Sequence, residues 1–146
     1  MDGRKWERGS ALAWTAAVLA FVVLPLIALL LDGARLFYAD TRLEDATSAA
    51  CEALAQASIY EQVRQFQQTG KLEPKVTYTS RRAAVAVFTQ DLQGDPVLQL
   101  AHTTLRISTV NGLPQCAATS TVKAMFMPYT SHLHAVAVPS ARGSRR

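Results

Sequence analysis

Ser10-Ala-Leu-Ala-Trp14-Thr15-Ala-Ala-Val-Leu-Ala20-Phe-Val-Val-Leu24-Pro25-Leu-Ile-Ala-Leu-Leu-Leu31 is a run of twenty-two residues without a charge, nineteen of them apolar. At ~1.5 Å per residue a helix of this length reaches ~33 Å, enough to cross a hydrocarbon core of ~30 Å. Thr15 can return its hydroxyl to a carbonyl one turn back, and Pro25 is better tolerated in a membrane helix than in water. The run therefore reads as a transmembrane helix over residues 10–31. A cleaved secretory signal and a buried core helix are the competing readings. A signal has a shorter apolar core and a small-residue cleavage site. Here Asp32-Gly-Ala-Arg35-Leu-Phe-Tyr38 follows with no polar break. A core helix seldom needs so long a stretch without charge, so the anchor is favoured.

On the N-terminal side, Arg4, Lys5 and Arg8 stand against Asp2 and Glu7. The positive-inside rule makes residues 1–9 a basic cytoplasmic leader and sends everything after Leu31 to the other side of the membrane. The chain's 146 residues carry a net charge of +4, and its pI is near 9.4. That basicity sits at the ends: Asp32 to Ala141 holds nine basic and nine acidic residues, and Arg142, Arg145 and Arg146 follow. Phosphate-backbone binding needs a concentrated basic face, so the expectation is no nucleic acid partner. Residues 32–139 are long enough for one extracytoplasmic domain, and residues 140–146 read as a disordered basic tail.

Beyond the membrane the helical pattern continues. Leu36, Leu43, Ala46, Ala50, Ala53, Ala57 and Tyr60 recur at helical spacing to about residue 68, an alanine-rich face that admits a close neighbour. That neighbour is the domain's own sheet, further copies of such a helix, or both. Asp32, Asp40, Glu44, Asp45, Glu52 and Glu61 read as its solvated side. Thr69-Gly70 ends it, and Leu72–Thr79 reads as a loop or short strand. Ser80 reads as the N-cap of a short second helix with Val85, Phe88 and Leu92 on one face, closed by Gly94-Asp95-Pro96. A strand over Ala83–Thr89 is the competing reading. Val97–Val110, Ala117–Met127 and His132–Val138 read as three strands separated by Asn111-Gly112-Leu113-Pro114 and Pro128-Tyr129-Thr130-Ser131. The fold class is α+β: a long N-terminal helix whose first half is transmembrane, a short second helix and a three-stranded antiparallel meander.

Cys51 and Cys116 are the two cysteines. Outside the cytoplasm such a pair tends to oxidise, which would pin helix to sheet; two buried thiols are the alternative. His132 and His134 share a strand face, but with no third ligand in view they read as solvated or packed, and no metal site is assigned. The sequence contains no phosphate-cradling glycine loop, HExxH, GxSxG or CxxC. The expectation is a protein that is not an enzyme and takes no cofactor.

Arg8-Gly9-Ser10-Ala11-Leu12, the apolar run with Leu24-Pro25, then Asp32-Gly33-Ala34-Arg35-Leu36-Phe37-Tyr38-Ala39, and Arg42-Leu43 with Asp45-Ala46 and Ala49-Ala50, together resemble the TadE/TadG-like family. These are minor pilins or pseudopilins of the bacterial tight-adherence (Tad, Flp-type) pilus. The likeness covers residues 8–55, with the general plan agreeing beyond. It implies a pilin-like fold, a prepilin peptidase cutting between Gly9 and Ser10, and a place in the bacterial cytoplasmic (inner) membrane. It also implies partners among other pilins and pilus assembly-platform membrane proteins, and roles in adhesion or secretion. Related pilins carry a glutamate fifth after the cut, able to neutralise a neighbour's terminal amine. Trp14 stands there instead, which favours a tip, base or membrane-retained role over the shaft. The runner-up reading is a single-pass membrane-anchored extracytoplasmic binding module that joins no filament.

Overall fold

The computed structural model describes residues 4–71, 76–110 and 113–139, with side chains from Ala11 onward. Its axis is one N-terminal helix: α1 (Arg4–Val18), a π turn over Leu19–Val23, and α2 (Leu24–Thr69). From Ala11 to Thr69 this is 59 residues without a break, ~88 Å at the ordinary rise. The π turn lies just ahead of Pro25, with Leu24 N–H bonded to Leu19 O. A proline removes one rung of the ladder and crowds the carbonyl four residues back, and a widened turn accommodates both. No residue from Ala11 to Leu31 is buried. The stretch has a mean hydropathy of 2.6 and is long and apolar enough to cross a membrane.

Past Leu31 the same helix acquires an inner face. Asp32, Ala39, Leu43, Ala46, Thr47, Ala50, Cys51, Leu54 and Ser58 are buried, following the three-and-four alternation of a 3.6-residue period. Leu36 packs half-buried against them. The expected face of Ala53, Ala57 and Tyr60 drifts off this line: the two alanines are half-buried and Tyr60 is exposed. Asp32, expected to be solvated, is buried. Thr47 and Ser58 return their hydroxyls to Leu43 and Ala55 carbonyls at 2.6 and 2.8 Å, so neither leaves a polar group stranded. Gly70 ends the helix at φ 68°, its N–H on Phe66 O, the left-handed cap that glycine adopts without a Cβ penalty.

The helix α3 (Tyr78–Leu92) begins two residues before the expected cap. Thr77 is the N-cap, its hydroxyl accepting Ser80 N–H at 3.3 Å while Ser80 Oγ accepts Thr77 N–H at 3.1 Å. Ser80 is thus the far half of a capping box. Tyr78 and Thr79 are helical rather than loop or strand, while residues 72–75 lie outside the described residues. Ser80, Ala84, Phe88 and Leu92 are buried at helical spacing, which excludes the strand reading of Ala83–Thr89. Ala84 takes the inward place expected of Val85, which is exposed.

Asp95 then organises the chain. Its Oδ1 accepts the N–H groups of Val97 and Leu98 at 2.8 and 2.9 Å, and Leu98 drops fully into the core. A single 3₁₀ turn, Leu100–His102, intervenes before β1 (Thr103–Val110), so the strand starts six residues after the expected Val97. β2 (Leu113–Lys123) and β3 (Thr130–Ala137) complete an antiparallel meander in the order β1-β2-β3. Thr103 pairs with Ser120, and Cys116 lies between Ile107 and Ala137. Met125–Met127, expected in the second strand, lie in the loop after it. The turn residues 111–112 and the expected tail, residues 140–146, lie outside the described residues.

The core lies between α2, α3 and the inner sheet face. Cys116, Ala118, Val122 and Ala135 meet Leu43, Leu54, Phe88, Leu92 and Leu98 there. Burying each large side chain is worth about 1.5–3 kcal/mol. The alanines let the sheet approach the helix closely, and Ser120 satisfies its hydroxyl against Thr103 at 2.8 Å.

Candidate functional site

The residues quoted from Asp32 to Ala46 fall into three groups in space. Leu43 and Ala46 are core, with Leu36 beside them. Gly33, Phe37 and Asp45 are exposed; a Cβ at Gly33 would meet nothing within 4 Å. Asp32, Arg35, Tyr38 and Arg42 reach elements far along the chain.

Asp32 stands on the first residue after the apolar run, where a carboxylate would be expected to point to water. It turns instead to the β2–β3 loop. Oδ1 accepts Met125 N–H at 2.8 Å, and Oδ2 accepts Phe126 and Met127 N–H at 3.2 Å each. Three successive amides converging on one carboxylate form an anion nest. Burial alone would push the carboxyl up. The three amides, with the Arg35 charge nearby, outweigh that and hold Asp32 below the ordinary carboxylate value. The loop closes on itself through Ala124 N–H to Tyr129 O at 2.9 Å.

A second aspartate works at the turn after α3. Besides holding Val97 and Leu98, Asp95 faces Arg42 Nε at 3.6 Å and accepts the Tyr38 hydroxyl at 3.4 Å, while Arg42 also donates to Asp91 O at 3.0 Å. Burial raises the Asp95 carboxyl, but the two backbone donors and Arg42 lower it further, so the net direction is down. Tyr38 and Arg42 thereby fasten the long helix to the turn that launches the sheet. Asp95 was legible in the sequence only as part of a stop signal.

Cys51 and Cys116 come together from α2 and β2, both buried and both present as thiols. Cys51 donates to Ala137 O at 3.3 Å. Burial, then the neighbouring Cys51 thiol, pushes the Cys116 thiol up, which favours its protonated form in the reduced pair. Gly9 and Ser10 lie within α1, where the backbone is a continuous helix.

A cleft of about 310 Å³ opens one turn above Asp32, lined by Arg35, Gln99, His102, Thr121, Lys123 and Thr130, with Val97 at its wall. Sequence spacing hid it, because its three basic side chains come from a helix, a 3₁₀ turn and a strand end. His102 also shares a groove on the outer sheet face with His132 and His134. Among the described residues no three of His, Cys, Asp and Glu are placed to hold a metal ion. No family model, curated protein or solved structure matches this chain. What the arrangement can do is mechanical: join an apolar helix rigidly to a small sheet by way of two carboxylates.

Proposed function

We propose that this chain is a non-enzymatic minor pilin or pseudopilin-like component of a Tad-type pilus or secretion assembly, held in the bacterial inner membrane by its N-terminal helix. The observation that carries the reading is the continuous helix from Ala11 to Thr69, wholly uncovered and apolar in its first half and packed on a sheet in its second. A helix of that kind can rest in a bilayer and later pack beside other such helices without refolding the domain it carries. Ala13, Ala16, Ala17 and Ala20 leave room for the close approach that helix association in lipid requires. The resemblance over residues 8–55 supplies the partners: other pilins, assembly-platform membrane proteins and the prepilin peptidase. The basic residues ahead of the span orient the domain to the extracytoplasmic side.

The test is the N-terminal mass of protein extracted from membranes of cells with and without their prepilin peptidase. A chain starting at Ser10 only when the peptidase is present is the expected result. A chain that keeps Arg4–Gly9 in both strains overturns pilin-type processing and leaves the anchored binding module in its place.

A further inference from the structure

The β2–β3 loop is tied down by its backbone while its large apolar side chains are left exposed. Three of its amides end on Asp32, yet Met125, Phe126 and Tyr129 are 71%, 56% and 56% exposed and Met127 is also exposed. From Ala124 to Thr130 the sequence Ala-Met-Phe-Met-Pro-Tyr-Thr has no charge. A flexible loop could fold such residues inward; this one is held open at the level where the apolar span ends. Its anchor, Asp32, directly follows Leu29, Leu30 and Leu31, which are exposed as well.

The cleft follows one turn higher. Arg35 is three residues past Asp32, a rise of ~4.5 Å, while the headgroup layer on each side of a bilayer is roughly 5–7 Å thick. When Asp32 is at the hydrocarbon edge, Arg35, His102 and Lys123 are therefore at phosphate depth. No carboxylate is among the cleft's lining residues. Asp32, one turn before Arg35, has its oxygens engaged with the loop amides. Arg35 lines the cleft beside Lys123 and His102, and its Nε is buried without a hydrogen-bond partner among the described residues. Aromatic and methionine side chains suit the interface, where one end of the residue is apolar and the other wet.

We propose that the membrane-proximal end of the domain is a lipid-binding surface. The Met125–Tyr129 loop enters the interface of the bilayer that holds the span, and the Arg35–His102–Lys123 cleft takes the phosphate of an anionic phospholipid headgroup in the same leaflet. The anchor is then two-legged, helix and loop, which fixes the tilt of the domain over the membrane. This inference rests on the span residing in a bilayer and is independent of the pilus assignment.

The full chain carrying Trp6→Phe, Trp14→Phe and Phe126→Trp is reconstituted into vesicles of equal parts phosphatidylcholine and phosphatidylglycerol and recovered by flotation. Lipids brominated near the headgroup should quench the introduced indole, and aqueous iodide should not. In parallel, mass spectrometry of the detergent-solubilised full chain reads which lipid stays bound. Phosphatidylglycerol should be retained over phosphatidylcholine. Arg35→Gln and Lys123→Gln should each weaken that retention about fivefold, on ~1 kcal/mol for each basic residue near an anionic surface. A floated chain whose indole responds to iodide and not to brominated lipid overturns the loop insertion while leaving the anchor intact. Equal retention of the two lipids, or ready displacement of phosphatidylglycerol by inorganic phosphate, overturns the headgroup site. A chain that does not float overturns both the span and this proposal. Phe126→Trp alters an exposed side chain, and circular dichroism of each variant reports that the fold is retained.

Discussion

The two halves of the long helix obey opposite rules. Between Ala11 and Leu31 the large residues Leu12, Trp14, Leu19, Phe21 and Leu30 are exposed and no residue is buried. Between Asp32 and Ser58 the inward positions are mostly small, with Ala39, Ala46, Ala50 and Cys51 set around Leu43 and Leu54. Bulk is placed where nothing else in the chain packs against the helix. Smallness is placed where the neighbour is a sheet whose backbone must come close. Residue size along one unbroken helix thus reports what each half meets. Asp32 marks the joint, being the first charge after the span and a hydrogen-bond anchor for the domain.

The largest expected effect tests that division directly. Leu54 is fully buried at the helix–sheet contact, and Leu54→Ala should lower domain stability by about 2–5 kcal/mol, the range for a truncated core leucine. Leu29→Ala, on the uncovered half, should leave the same denaturant midpoint within about 0.5 kcal/mol. The readout is near-ultraviolet circular dichroism of the full chain in detergent micelles during denaturant titration. Equal losses at the two positions would break the comparison, because the span would then contribute to domain folding.

Legibility followed the same line. The long apolar helix was plain in the sequence because twenty-two uncharged residues need no tertiary context to be recognised. The α+β layout, the antiparallel meander and the helical reading of Ala83–Thr89 were also accessible, since period and turn residues are local signals. The errors came where a long-range partner decided. Asp32 looked solvated because nothing local reveals three amides arriving from residues 125–127. Val97 looked like strand because its β-branched composition says nothing of the Asp95 carboxylate that turns the chain there. The basic cleft was invisible for the same reason. Met-Phe-Met-Pro-Tyr was the missed signal: an uncharged apolar stretch at a turn whose large side chains stand exposed.

Cys51 and Cys116 sharpen the comparison at the packed half. Their meeting at the helix–sheet contact means that oxidation would close a loop of ~65 residues and add up to about 4 kcal/mol. If the domain lies on the extracytoplasmic side, as proposed, the extracted protein should show no alkylatable thiol after denaturation until a reductant is added. Two alkylatable thiols in that protein would make the contact one of packing alone, with the pair serving as small buried hydrophobes.

The smallest effect is expected at the far latch. Asp95 keeps its two backbone donors if replaced by asparagine with the carbonyl in place of Oδ1, but loses the charge that faces Arg42. Asp95→Asn should therefore cost about 1 kcal/mol, and Arg42→Ala less than that, because water reaching the partly exposed guanidinium screens the pair. The acid response separates this from simple packing. Asp95 and Asp32 both have carboxyls held below the ordinary value of 3.8. As pH falls below about 4 the unfolded chain binds protons before the folded one does, so their contribution is complete above that pH and is lost on acidification through the folded-state values. Asp95→Asn removes one of the two groups and should flatten the fall in stability below pH ~4 without changing its sign. An unchanged acid limb in that variant would assign the whole response to Asp32, making the membrane-side carboxylate the acid-sensitive joint of the molecule and the turn at Asp95 a passive one.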